Sequence, residues 1–252
     1  MAEAPARVVS MNLCADQYAL LLAGPGQLVS VSHVSRDTVA SPYAALAAEV
    51  PVNHGGAEEI WLLRPDLVLA HEWSDTRVLA ILRRLGIDVL QIPVPEAIAE
   101  IPDTVRAYGD ALGQSATAEL LATAFEQRLA DLEFRAAALP PGKTATLYGA
   151  NGYSAGMTGM AGDILRHAGL LPAGGALFAG GSVPLETLVM EAPDMIITGA
   201  RYAGWSRSEA LLDHPVFDAL PAARRLSGPA WACGTPRVLD AVEALLAVRE
   251  AS

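Results

Sequence analysis

Glu58-Glu59-Ile60-Trp61-Leu62-Leu63-Arg64-Pro65-Asp66-Leu67-Val68-Leu69-Ala70 returns later in the chain as Glu186-Thr187-Leu188-Val189-Met190-Glu191-Ala192-Pro193-Asp194-Met195-Ile196-Ile197-Thr198. Each copy reads as a short helix, a break at Pro-Asp and a buried strand, the last marked by a continuous apolar run. A glutamate opens both copies, and the proline follows at the same distance in each. A helix-strand pattern that recurs in this way predicts two similar α/β lobes.

Working outward from the first copy, Arg7 to Met11 is a β-rich run. A helical stretch from Cys14 to Ala23, the turn Gly24-Pro25-Gly26 and a second strand, Leu28 to Ser32, complete a β-α-β opening. The polar loop from Ser32 to Asp37, which carries Arg36, follows a strand end, where open α/β sheets bind ligands. The repeat strand runs into His71-Glu72-Trp73-Ser74-Asp75, then a helix (Thr76 to Leu85) and a strand (Asp88 to Ile92).

Ser115 to Leu139 contains no Gly or Pro and is rich in Ala, Leu, Glu and Arg. It reads as one helix about 35 Å long, a strut between the lobes. Beyond it lie the strand Thr144 to Tyr148, a glycine-rich loop with Tyr153, the second copy, and the loop Gly199 to Trp205, which carries Arg201 and Tyr202. The turn around Trp231 and a helix from Arg237 to Arg249 close the chain. The expected division is an N-terminal lobe over 1–113, a linking helix over 114–140 and a C-terminal lobe over 141–252.

The net charge of −11 and the lack of any basic cluster beyond arginine pairs argue against a nucleic-acid partner. Apolar runs fall far short of the roughly 20 residues of a membrane span. Cys14 and Cys233, expected one per lobe, allow one disulfide or none. The five histidines are scattered and no two of them share a helical spacing, so no metal site is expected. Gly142-Lys143-Thr144 lacks the earlier glycine of a phosphate loop.

Gly152-Tyr153-Ser154-Ala155-Gly156 fits the G-x-S-x-G pattern and keeps open a serine hydrolase using Ser154. No strand runs directly into this turn and no helix directly out of it, as a nucleophile elbow requires. Only 6% of residues are aromatic, yet Trp73, Trp205 and Trp231 each follow a strand-like run, which suits an apolar slot for a large planar ligand. Glu58 and Glu186 each sit in a helix's first turn, where an acid is favourable for about 0.3–1 kcal/mol without any partner.

Arg7-Val8-Val9-Ser10-Met11, both repeat copies, the single mid-chain helix and Trp231-Ala232-Cys233-Gly234-Thr235-Pro236-Arg237 together resemble the periplasmic substrate-binding proteins of metal-chelate ABC importers. That family carries cobalamin, ferric siderophores and haem, and the chain looks like its class III, cobalamin-binding-protein-like members. The resemblance implies two Rossmann-like lobes joined by one long helix, with the ligand cleft between lobes. It implies a monomeric, non-catalytic receptor without a cofactor of its own. Its partner would be an ABC permease dimer with its ATPase, docked through Glu58 and Glu186. Export to the periplasm is implied as well, with the signal peptide outside the sequence given.

Ligand contacts are expected from Arg36, His71, Trp73, Tyr148, Tyr153, Arg201, Tyr202, Trp205 and Trp231. A cobalamin-binding relative places Trp directly after the first-lobe strand, whereas this chain has His71 there and Trp73 two residues on. Arg201, Tyr202, Tyr148 and Tyr153 suit a siderophore. For haem, the alternative ligand of the same family, His71 or Tyr153 is the candidate axial group.

Overall fold

A computed structural model of the chain describes residues 3–156, 158–199, 204–220 and 223–251. The chain divides into two compact units, Met1–Glu126 with Ala232–Pro236, and Gln127–Trp231 with Arg237–Ser252. The short segment Ala232–Pro236, expected in the C-terminal lobe, therefore belongs to the first unit.

The first unit alternates β1 (Val8–Ser10), α1 (Leu13–Leu22), β2 (Leu28–Ser32), α2 (Ala44–Ala48), β3 (Val52–Asn53), α3 (Ala57–Leu62), β4 (Leu67–Ala70), α4 (Thr76–Arg84), β5 (Asp88–Gln91) and α5 (Ile101–Leu112). Its strands form one sheet in the order β3-β2-β1-β4-β5, all pairs parallel. Parallel strands covered by helices on both faces read as apolar runs, and Val8, Val9, Val68 and Leu69 are wholly buried. The order of strands reverses direction between β1 and β4.

Helix α6 (Ser115–Ala137) crosses the division between the units. Its first half belongs to the first unit, where Arg106 of α5 meets Glu119 at 2.7 Å and Glu126 at 3.1 Å. Gly109 of α5 allows close packing there, since a Cβ on it would stand 2.2 Å from that of Ala118. The second half is laced to the terminal helix of its own unit.

That unit contains β6 (Thr144–Leu147), β7 (Tyr153–Ser154), α7 (Gly159–His167), β8 (Leu171–Pro172), α8 (Ala176–Ala179), β9 (Gly181–Ser182), α9 (Leu185–Glu191), β10 (Met195–Gly199), α10 (Pro215–Ala219), β11 (Ala223–Ser227) and α11 (Val238–Glu250). Arg128 and Arg135 of α6 pair with Asp240, Glu243 and Glu250 of α11. The main sheet runs β11-β10-β6-β8, again parallel, and its order reverses between β6 and β10. A small antiparallel ribbon, β7 with β9, forms a separate sheet in the same unit.

The repeated stretch does the same work in both units. Ile60 and Leu188 are fully buried from the one face of α3 and α9. Arg64 (φ 50°) and Ala192 (φ 43°) adopt the left-handed conformation just before the proline, turning the chain from helix to strand. The following aspartate then reaches the neighbouring strand. Asp66 accepts from the amides of Ala6 (2.7 Å) and Arg7 (3.0 Å) beside β1. Asp194 accepts from the amide (2.7 Å) and hydroxyl (2.9 Å) of Thr144, the first residue of β6.

Candidate ligand-binding site

Open parallel sheets bind ligands beyond the carboxyl ends of strands that flank the reversal in strand order. In the first unit those ends belong to β1 and β4, and the loops leaving them are fastened together. Asn12 caps α1 by accepting from the Ala15 amide (3.0 Å), and its Nδ2 donates to Ser74 Oγ at 3.3 Å. The amide of His71 donates to the same hydroxyl at 3.2 Å, and Gln91 Nε2 donates to the His71 carbonyl at 3.1 Å. Asp75 then caps α4 through the Arg77 amide at 2.8 Å. The hydrogen bonds and charge of Arg77 bring the Asp75 carboxyl down to about 2.

His71 and Trp73 ride on this fastened loop. The Trp73 amide donates to Nδ1 of the half-buried His71 at 2.9 Å, and the two rings meet edge to face with centroids 5.5 Å apart. The indole itself is 74% exposed. A large apolar ring held open to solvent by a rigid turn is a surface ready to stack on a ligand.

Beside these loops, Asp16 of α1 is wholly buried and accepts from the Ser32 amide (3.1 Å), the Ser32 hydroxyl and the Ser35 hydroxyl (2.6 Å). Burial pushes its carboxyl upward despite those bonds. The turn from Ser32 to Arg36 is thus braced from inside. Arg36, expected to meet acidic ligand groups, spends its guanidinium on the carbonyls of Ala47 (3.2 Å), Ala48 (3.4 Å) and Val50 (2.7 Å). It closes the end of α2, whose last carbonyls have no helical partner.

In the second unit, Leu147, Tyr148, Gly149, Tyr153, Ala155, Ile197, Gly199 and Ser227 line a pocket of about 190 Å³ at the carboxyl ends of β6 and β10, again at the reversal. Tyr153 is 59% exposed there. Tyr148 is buried, with its hydroxyl donating to the Val183 carbonyl at 2.8 Å. Trp205 stands open at 79% exposure, while Trp231 is half-buried with its indole N–H on the Leu226 carbonyl at 3.1 Å. The expected contacts Arg201 and Tyr202 lie outside the described residues.

Ser154 is wholly buried in β7, its hydroxyl within 3.1 Å of Thr146 Oγ1 and 3.3 Å of the Leu177 carbonyl. A nucleophile elbow instead exposes its serine on a sharp strand-to-helix turn. Among the described residues no three His, Cys, Asp or Glu side chains gather to hold a metal ion.

Glu58 and Glu186 are exposed in the first turns of α3 and α9. Each is followed on its helix by an exposed apolar pair, Trp61 and Leu62 at 48% and 63%, Val189 and Met190 at 40% and 85%. Beside Glu186 a groove of roughly 660 Å³ is lined by Val189, Met190, Leu211 and Val216. Glu59, next to Glu58, turns back to accept from the His54 amide at 2.8 Å, which lowers its pKa.

Cys14 and Cys233 form a disulfide, and both belong to the first unit. The expected one-per-lobe placement is corrected because Ala232–Pro236 returns there. Tyr18 also holds the Gly234 carbonyl (2.6 Å), and Thr235 donates to Gln17 Oε1 (3.1 Å). Asn12 and Asp16 were not singled out from sequence, and the segment Ala232–Pro236 was marked there as part of the resemblance but not as a return to the first unit. Only Asn12 carried a local signal, as a capping residue before an apolar helix.

A family model described as periplasmic binding protein matches residues 8–225. The chain is 24% identical over 204 residues to an uncharacterized ABC transporter substrate-binding lipoprotein, YvrC, of Bacillus subtilis, a match that covers 75% of this chain. The chain spans only 63% of that relative's length. Among solved structures it is similar to a periplasmic heme binding protein from Pseudomonas aeruginosa, with a TM-score of 0.76, 23% identity and coverage of 98% and 94% of the two chains. It is also similar to the periplasmic vitamin B12 binding protein BtuF of Vibrio cholerae, with a TM-score of 0.75, 23% identity and coverage of 98% and 97%. These likenesses establish the two-lobed α/β fold.

Proposed function

Because this chain belongs to the periplasmic binding protein family, we propose that it is the substrate-binding protein of an ABC importer, a non-catalytic receptor that captures a metal chelate and delivers it to a membrane permease. The observation that carries the ligand reading is the open indole of Trp73 on a loop locked at the reversal of the first sheet. Tyr153 and Trp205, exposed in the second unit, are the further contacts. Exposed rings in loops at strand ends suit a flat or bulky ligand more than a small polar solute. Cobalamin or another corrinoid and a ferric siderophore are the first candidates, with haem the alternative.

The receptor works outside the cytoplasm, in the periplasm or its equivalent, as a monomer. The Cys14–Cys233 disulfide supports this, since such bonds persist in oxidising compartments. Docking on the permease and its ATPase runs through Glu58 and Glu186, which occupy the same exposed position in both units. Charges at a wet rim set the encounter rate and register more than the affinity.

Titration with aquocobalamin, ferrichrome and haemin, followed by tryptophan fluorescence, tests the reading. At least one chelate should quench the emission and bind, and Trp73→Ala should weaken that binding about tenfold while the fold is kept. A wild-type protein blind to all three would overturn the receptor assignment. Glu58→Ala with Glu186→Ala should leave chelate affinity unchanged yet cut uptake by cells severalfold, and lost affinity would remove these residues from the docking role.

A further inference from the structure

Four histidines hold Nδ1 against a partner, and the partners are of two opposite kinds. Nδ1 of His54 faces Glu59 Oε1 at 3.4 Å, and Nδ1 of His167 faces Glu133 Oε1 at 2.9 Å. A carboxylate there calls for a proton on Nδ1. Nδ1 of His71 instead meets the Trp73 amide at 2.9 Å, and Nδ1 of His214 meets the Val216 amide at 3.3 Å. A backbone N–H there calls for a lone pair, so the proton of the neutral ring is on Nε2.

A histidine that ligates a metal is ordinarily wired the first way, with its outer nitrogen donating to a carboxylate or carbonyl while the inner one keeps its lone pair. His71 is wired the second way. To free Nε2 for a metal, the proton would have to move to Nδ1, where it would confront the Trp73 N–H and strip that amide of its acceptor. The loop leaves little room to turn away. The His71 amide is held by Ser74, its carbonyl by Gln91, and Ser74 in turn by Asn12.

Resting on the chelate-receptor reading, we infer that His71 meets the ligand as an N–H donor through Nε2, to an oxygen on the chelate's periphery, and does not coordinate its metal. Carboxylate, amide carbonyl and phosphate oxygens all satisfy such a donor. The edge-to-face contact of the imidazole with Trp73 then joins a stacking surface and a hydrogen-bond donor in one two-residue unit. Specificity at this wall comes from where the ligand rim places an oxygen, while the metal's coordination is completed by groups other than His71.

Calorimetric and visible-absorption titrations of the wild-type protein, His71→Phe and His71→Gln with haemin, aquocobalamin and ferrichrome test this. For a chelate that binds the wild type, His71→Phe, which keeps a ring without a donor, should weaken binding about tenfold. His71→Gln, which restores an N–H, should recover affinity to within about threefold. The absorption spectrum of the bound chelate should be the same in all three proteins. A spectrum altered by either substitution would make His71 a metal ligand and overturn the inference, as would undiminished affinity in His71→Phe. Absence of binding by the wild type would instead remove the receptor reading on which the inference rests.

Discussion

At the end of α3, Arg7 donates from Nε to the Arg64 carbonyl at 3.1 Å and from Nη2 to the Leu63 carbonyl at 2.7 Å. In the second copy Thr144 takes the corresponding place, donating its hydroxyl to Asp194 and accepting the Asp194 amide at 3.1 Å. The aspartate, the left-handed residue before proline and the buried apolar anchor are common to both copies, while the group that finishes the junction differs. What the pair teaches is which parts of the motif are mechanical requirements. A helix that must reverse into a parallel strand needs the turn and a bond to its neighbour strand. Either a long guanidinium or a short hydroxyl can close the rest.

The loops that follow the two copies diverge further. After β4 the chain is latched within a few residues by Ser74, Asn12 and Gln91 and enters α4. After β10 it runs a longer course before the turn Ala210–Asp213 and α10. Similar scaffolds thus carry loops of unequal length.

The sharpest way to break the equivalence of the scaffolds is in their anchors. Ile60 belongs to a core with Val9, Val68 and Leu82, and Leu188 to one with Tyr148, Ile196 and Phe217. Ile60→Ala and Leu188→Ala should each cost about 2–5 kcal/mol in urea unfolding. Because the two cores are separate, the double variant should equal the sum within about 0.5 kcal/mol. A large non-additive term would show that the cores do not act independently.

Next come the aspartates. Asp66→Ala and Asp194→Ala should each cost about 1–2 kcal/mol, the net value of hydrogen bonds to a carboxylate at a wet strand end. Hydrogen bonds from the Thr144 amide and hydroxyl hold the Asp194 pKa below its ordinary 3.8. The folded state therefore binds this proton less readily than the unfolded chain. Its stabilisation is full above about pH 4 and is lost as pH falls through the lowered value. Asp194→Ala should flatten that acid limb in a pH series of melting temperatures. An unchanged acid limb would separate the carboxylate from the stability of the junction.

The smallest effect is expected at the left-handed residues. Arg64→Gly and Ala192→Gly each relieve a positive φ and should raise stability by roughly 0.5–1 kcal/mol, read as a higher melting temperature. A smaller gain at Arg64 than at Ala192 is expected, because the Arg64 carbonyl is already held by Arg7.

Much of the scaffold was legible in sequence because its signals are local. The strand Leu28–Ser32 and the start of the long helix at Ser115 stand where the pattern put them. Helix α7 starts at Gly159 and carries a second glycine at Gly162, residues that give little helical signal in sequence. The ribbon of Tyr153–Ser154 with Gly181–Ser182 was invisible, being two residues long on each side and joined across the intervening chain. The site was legible only in part. Trp73 stands open as its polar loop suggested, whereas Arg36 and Tyr148 bond to backbone carbonyls that no spacing rule reveals.

Sequence alone determined the duplication, the alternation of helix and strand, the left-to-right grammar of glutamate, proline and aspartate in each copy, and the kinship that follows from them. Those depend on residues near one another in the chain, where propensity and periodicity act. Tertiary structure alone decided that Cys14 meets Cys233, that Asp16 braces the serine turn, and that His71 offers a proton rather than a lone pair at Nε2. The first is a pairing between residues distant in the chain. The other two turn on which way a side chain faces once the fold has brought a donor or acceptor within about 3 Å of it.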